Sequence, residues 1–207
     1  ITYDEMLEMA SLGAKVLHSR CVEIAKKYGV ELLVCSSLNR NSGTIVRENT
    51  KMEKMLISGV AADKNVAKIR VAGLGNDPDS TFRLLNLLDK NNLNIDVMIQ
   101  SLGKDGTKSV SFTVAKPDLL RALDLLNDNK DYLGIKKLDS DEKVAKVSVI
   151  GAGIRSHSGV AAKMFGALAS IGVNTEMVTT SEIRITVLID EEYTDLAMRK
   201  LHETFIN

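Results

Sequence analysis

The feature that most constrains the fold is an internal repeat. Val66-Ala67-Lys68-Ile69-Arg70-Val71-Ala72-Gly73-Leu74-Gly75 returns as Val144-Ala145-Lys146-Val147-Ser148-Val149-Ile150-Gly151-Ala152-Gly153. In both copies an apolar strand-like segment ends at Gly-x-Gly, crosses a polar loop and enters a segment with helical spacing. Phe82, Leu84, Leu85, Leu87 and Leu88 form the expected stripe of the first helix, and Val160, Met164, Phe165, Leu168 and Ile171 that of the second. Strands are expected next at 94–101 and 174–181, then at 108–114 and 183–189, followed by helices at 118–127 and 192–204. The first copy continues into a fourth strand at 134–139. The second stops after its helix, which would leave an open sheet edge. Upstream, the apolar segment 55–61 has no partner of its own. The expectation is that it supplies the missing strand, so that the first module (66–139) is inserted within the second (55–61 plus 144–207).

Residues 1–50 read differently, as helix, helix and strand. Thr2 or Asp4 can cap a short helix carrying Met6, Leu7, Met9 and Ala10, and Gly13 is a plausible stop. A second helix is expected from Lys15 to Tyr28, ended by Gly29. Glu31 to Ser36 reads as a buried parallel strand, 38–43 as a turn-rich loop and 44–46 as a last short strand. This is α/β material, too short for a whole α/β domain, and reads as the tail end of one. The first residue is Ile1 rather than Met, which suggests a longer parent chain.

Composition narrows the function. Lys plus Arg and Asp plus Glu are equal at 27 each, so no net charge draws the chain to nucleic acid or to anionic lipid. No apolar run approaches a membrane span. Cys21 and Cys35 form no C-x-x-C pair and read as small buried hydrophobes of a cytoplasmic protein. His18, His157 and His202 lack metal-ligand spacing, so no metal site is expected. No Ser-His-Asp signature and no Walker-type loop occurs.

The Gly-x-Gly frames Gly73-Leu74-Gly75-Asn76-Asp77-Pro78 and Gly151-Ala152-Gly153-Ile154-Arg155-Ser156 lack the third glycine of a dinucleotide fingerprint. A turn needing positive φ accounts for them more simply. Each loop nevertheless delivers a helix N-terminus, whose free N–H groups and dipole favour a carboxylate. Asp79 or Ser80 is expected to cap the first helix, and Ser156 or Ser158 the second. Opposite each helix start lies a strand with Asn94 and Gln100, or with Asn174, Glu176, Ser181 and Glu182. Such acceptors suit an ammonium group, so each module has the parts of a free amino-acid site.

The residues quoted above also carry a family resemblance. Glu5-Met6-Leu7-Glu8-Met9-Ala10, Gly13-Ala14-Lys15-Val16-Leu17-His18 and Ser36-Ser37 resemble the end of the amino-acid-kinase domain of aspartate kinases. Residues 55–207 resemble that family's tandem ACT domains, notably in Val147 to Gly153 and in Thr180-Ser181-Glu182-Ile183-Arg184. The resemblance implies an α+β fold: tandem ferredoxin-like βαββαβ ACT domains preceded by a short α/β remnant of the kinase domain. It implies feedback regulation of a kinase that phosphorylates the β-carboxylate of aspartate with ATP and Mg, by lysine or threonine bound at the interface of an ACT-paired homodimer. The implied effector positions are Asn76, Asp77, Asp79, Ser80, Thr81, Asn94 and Gln100 in the first module. In the second they are Ile154, His157, Ser158, Gly159, Val160, Ala161, Asn174, Thr175, Glu176, Ser181 and Glu182. Asn76 and Asp79 depart from the family's Asp-x-Pro-Gly form, and an acidic Asp79 at the helix start would repel a carboxylate.

Lys15 matches a family lysine near the nucleotide, but the Lys-Phe-Gly-Gly-Thr motif and the aspartate-binding residues are absent. No kinase activity and no bound cofactor are therefore expected of these residues alone. Lysine is the favoured effector, since Glu176 and Glu182 suit a second ammonium. Two rival readings remain: a separate regulatory subunit that complements a catalytic chain, and a free-standing ACT amino-acid sensor. Residues 1–50 argue against the free-standing sensor, which has no use for a kinase-domain tail.

Overall fold

The computed structural model describes residues 1–38, 42–48 and 56–206. In chain order the elements are α1 (Tyr3–Ser11), α2 (Ser19–Tyr28), β1 (Leu32–Val34), β2 (Thr44–Val46), β3 (Gly59–Leu74), α3 (Asp79–Lys90), β4 (Met98–Leu102), β5 (Lys108–Ala115), α4 (Leu119–Asp128), α5 (Lys130–Leu133), β6 (Lys137–Ile150), α6 (Gly153–Ser156), α7 (Val160–Ser170), β7 (Met177–Thr180), β8 (Arg184–Asp190) and α8 (Thr194–Phe205). Two compact units result. The first combines residues 1–64 with 146–207, and the second is 65–145.

In the first unit α1 starts at a capping box. The Thr2 hydroxyl accepts from the Glu5 N–H, and the Glu5 carboxylate accepts from the Thr2 N–H. Gly29, with φ of 65°, closes α2 in the left-handed region. Tyr3, Met6, Val22, Ala25 and Val46 form the small core between these elements. Three expectations fail here. The second helix begins at Ser19 rather than Lys15, because Lys15 itself has φ of 51° and His18 is the N-cap. The 31–36 segment is not a buried parallel strand: β1 pairs antiparallel with β2, and Leu33 is 65% exposed. Cys21 and Cys35 are exposed, not buried: α2 turns Val22 and Ala25 inward rather than Cys21, and Cys35 lies past the end of β1. Part of the expected 38–43 loop (39–41) lies outside the described residues.

The rest of the first unit has strand order β3-β6-β8-β7. The Ser58 N–H donates to the Ile150 carbonyl at 2.7 Å, and Lys146 meets Asp63 at 3.3 Å. Advancing along one strand retreats along the other, so the two are antiparallel. Met55 of the expected 55–61 strand lies outside the described residues, and the described strand starts at Gly59. Helices α7 and α8 cover one face. Val147, Val149, Ile185, Val187 and Ile189 pack there against Val160, Met164, Leu168, Ala197 and Leu201. On the other face Met9 of α1 and Leu12, its C-cap, meet Ala61 and Ile150, and Glu8 pairs with Arg184 at 3.0 Å.

The second unit repeats the plan with order β4-β5-β3-β6. Ala67, Ile69, Val71, Val110 and Phe112 face Leu84, Leu88, Ala122 and Leu126. Phe82 was expected in the core stripe but is 64% exposed, because Ser80, Leu84 and Leu88 define the inward face at i, i+4 and i+8. The expected 94–101 strand shortens to β4. Before it, the Val97 N–H donates to Thr113 Oγ1 at 3.1 Å and the Thr113 N–H to the Val97 carbonyl. The expected 134–139 strand begins at Lys137 and runs on without a break to Ile150.

Glu5 is buried, at 4% exposure. One oxygen accepts from Ser58 Oγ at 2.6 Å and from the Ala152 N–H at 3.1 Å, and the other from the Thr2 N–H. Burial raises its pKa, but the hydrogen bonds from Ser58, Thr2 and Ala152 together outweigh burial, and the net shift is downward. Its stabilising contribution is therefore complete above the ordinary glutamate range and lost as pH falls through the lowered value. Urea denaturation of the wild type across acidic pH should show this loss, and Glu5→Gln should flatten the slope.

Candidate functional site

The Gly-x-Gly loops serve two different purposes. In the second unit Gly73 has φ of 87° at a bulge, where the β3–β5 register shifts between Ala72 and Leu74. In the first unit the reason is proximity rather than positive φ. A Cβ on Gly151 would lie 2.4 Å from the Leu56 carbonyl oxygen, and one on Gly153 would lie 2.5 Å from Leu56 Cα. The Gly153 N–H donates to that same carbonyl at 3.0 Å. Backbone 56–58 thus lies directly on the loop.

Beyond it, Gly159 is the N-cap of α7, and no side chain caps the helix. Ser156 and Ser158 do not cap the helix, contrary to expectation. Ser156 Oγ lies 2.9 Å from His157 Nδ1 instead. A cavity of about 460 Å³ opens at this helix start, lined by Leu56, Ser156, His157, Ser158, Gly159, Val160, Lys163 and Phe205. No carboxylate is among these residues, and the Lys163 ammonium lies 5.0 Å from the Phe205 ring centre.

Of the expected effector residues, the cavity gathers His157, Ser158, Gly159 and Val160. Ile154 and Ala161 are half-buried beside it in sequence. Ser181 and Glu182 lie at the turn before β8, and Glu182 pairs with Arg155 at 3.2 Å with both side chains largely exposed. Asn174, Thr175 and Glu176 precede β7, where the Glu176 N–H donates to the Leu188 carbonyl. None of these three lines the cavity. Leu56, Lys163 and Phe205 of the cavity wall were missed, as was Arg155 beside Glu182. Arg155 and Lys163 flank the loop in sequence and could have been found as cations near an anion-favouring helix start. Leu56 and Phe205 are brought in only by tertiary structure.

The corresponding loop of the second unit is filled from within. Neither Asp79 nor Ser80 caps α3 through its side chain. Asp77 does this work: its carboxylate accepts from the Asp79 N–H at 3.1 Å and pairs with Arg83 at 3.3 Å. Lys108 Nζ donates to the Asp77 carbonyl at 2.8 Å and reaches Ser80 Oγ at 3.3 Å. Thr81 Oγ1 donates to Gln100 Oε1 at 2.7 Å, so two expected residues do meet. Asn76 and Asn94 are exposed. Lys15 is exposed in the turn after α1. Among the described residues no group of His, Cys, Asp or Glu is arranged to hold a metal, and no helix is long and apolar enough to cross a membrane.

The chain thus holds two units of βαββαβ plan, each with a loop–helix start beside a strand edge, and the ACT domain family matches residues 147–205. The aspartokinase of Pseudomonas aeruginosa is 42% identical over 99% of this chain, which spans about half of that protein's length. A solved structure described as aspartokinase alpha and beta subunits matches at 42% identity and a TM-score of 0.69, covering 73% of this chain and 99% of that one. The regulatory subunit of aspartate kinase from Thermus thermophilus matches at 35% and 0.68, covering 72% and 99%. The chain therefore belongs to the aspartokinase family, and it contains that family's ACT-bearing regulatory region.

The glycines yield opposite predictions. Gly153→Ala must displace backbone 56–58 and should destabilise by about 1–3 kcal/mol. Gly166→Ala, in the middle of α7 with open space around its Cβ position, should stabilise by about 0.5–1 kcal/mol. Urea midpoints of the two variants measure both.

Proposed function

We propose that this chain senses lysine, and threonine more weakly, as the feedback signal of an aspartate kinase that transfers phosphate from ATP to the β-carboxylate of aspartate. The second ACT module is the principal site. The observation that carries this is the contrast between the two helix starts. The first module's is occupied by its own Asp77 carboxylate, whereas the second's is uncapped and opens on a cavity with Lys163 and His157 in its wall.

A free amino acid presents a carboxylate and an ammonium. The start of α7 with Lys163 suits the first. Glu182 suits the ammonium of a lysine side chain. Its pairing with Arg155 is exposed and worth roughly 0–1 kcal/mol, so a ligand can displace it cheaply. Asn174, Thr175, Glu176 and Ser181 belong to the adjoining strand edge and complete the site when two chains pair through their ACT modules. The protein acts in the cytoplasm.

The 1–48 segment supports a kinase parent. Val16, Ile24, Tyr28 and Leu33 are each more than half exposed there. In this reading the remainder of a kinase domain covers them. A regulatory chain that complements a separate catalytic chain is the second reading, favoured by the near-complete coverage of the Thermus thermophilus regulatory subunit.

Calorimetry with lysine, threonine and methionine tests the proposal: lysine should bind most tightly, and no binding by any of the three would overturn it. Glu182→Ala should weaken lysine by about tenfold, as expected for losing one charge-assisted contact, and threonine far less. Equal losses would overturn the charge assignment. Asp77→Ala, which empties the first module's helix start, should add a second, weaker binding event.

A further inference from the structure

We propose that Glu5 is the residue through which the glycine loop beside the effector cavity is tied to α1, so that effector occupancy is transmitted to the kinase-like end of the chain by one buried carboxylate. This rests on reading the α7 cavity as the effector site.

Three chain segments converge on Glu5. Its Oε1 accepts from Ser58 Oγ, two residues from the cavity wall at Leu56, and from the N–H of Ala152 within the Gly151-Ala152-Gly153 loop. Its Oε2 accepts from the Thr2 N–H at the start of α1. Leu56 is in turn held to the loop by the Gly153 N–H, and the close approach at Gly151 and Gly153 leaves no slack between backbone 56–58 and the loop. A ligand that moves Leu56 or the loop by a few tenths of an ångström must therefore either carry Glu5 along or break a charge-assisted hydrogen bond inside a buried site. Carrying Glu5 along moves α1, because the same carboxylate closes that helix's capping box. Other α1 contacts are not equivalent. Glu8 reaches Arg184 on β8 and Asp4 reaches Lys26 on α2, while Met9 and Leu12 pack on Ala61 and Ile150, where apolar contact lacks the direction of a charged hydrogen bond. Glu5 is a positioning residue, since it lines no part of the cavity.

Glu5→Gln keeps the shape but turns one acceptor oxygen into a donor that faces another donor. Hydrogen exchange on the 1–207 chain, with and without lysine, reads the consequence. Without ligand, Glu5→Gln should speed exchange by about tenfold both in α1 and across 151–154, the loss of one charged hydrogen bond being shared by the two. Asp4→Asn should leave 151–154 unchanged. Loosening of α1 alone, or of the loop alone, would overturn the tie. With lysine, wild-type protection should appear at 156–163 and extend into α1, whereas in Glu5→Gln it should stop at the cavity. Protection that still reaches α1 in the variant would overturn transmission through Glu5. Absence of protection at 156–163 in the wild type would instead overturn the effector reading, and with it transmission, leaving the ligand-free comparison to decide the tie. If Glu5→Gln does not fold, Ser58→Ala removes a single one of the hydrogen bonds and should give the same pattern at smaller amplitude.

Discussion

The antiparallel seating of residues 58–63 against 146–150 is the constraint on which the first unit depends. It gives β6 a neighbour on the side away from β8, and so removes an edge that would otherwise present unpaired backbone groups. It also explains the composition of the adjoining loop. Backbone 56–58 passes so close to residues 151–153 that only glycine fits at two of the three positions. The Lys146–Asp63 pair is almost fully shielded on the lysine side, at 6% exposure. Such a pair adds little net stability, since desolvation offsets its attraction, but it penalises a slipped register severely.

The two modules share a plan and have diverged where ligands are expected. Both keep an amphipathic helix whose inward residues fall at the same spacing, and both keep a strand edge after it. The difference lies in a few side chains at the helix start. In one module Asp77, Arg83 and Lys108 form a closed set of charges around the first turn of α3. In the other, small residues leave the turn of α7 uncovered and cations stand nearby without a resident acid in the cavity wall. Duplication supplied two frames, and electrostatics at one turn distinguishes them.

The repeat was legible because the apolar periodicity of its strands and helices survives in both copies, as does the Gly-x-Gly that ends each first strand. Strand limits were harder. Asp63-Lys64-Asn65 and Asp141-Glu142-Lys143 look like loop sequences, yet β3 and β6 run straight through them, since polar residues are tolerated in a strand wherever side chains face solvent. Phe82 and the two cysteines misled for the converse reason: apolar character does not say which side of a helix or thin layer faces inward. The candidate site was partly legible. Residues 157–160 could be read from a helix start. Leu56 and Phe205 could not, because they arrive from the far ends of the second module. Glu5 was equally hidden, since its partners lie 53 and 147 residues away in sequence.

The interleaving of the two units has a consequence for how the chain acquires its structure. Residues 65–145 are contiguous, whereas the first unit needs pieces from both sides of them. As the chain emerges from the ribosome, the inserted unit is complete while the first still lacks 146–207. Synthesis runs at roughly 5–20 residues per second, slower than most small domains fold. The later of the two modules in the sequence is thus begun first and closed last, with the Glu5, Ser58 and Leu56 partners waiting on a loop that has not yet been translated.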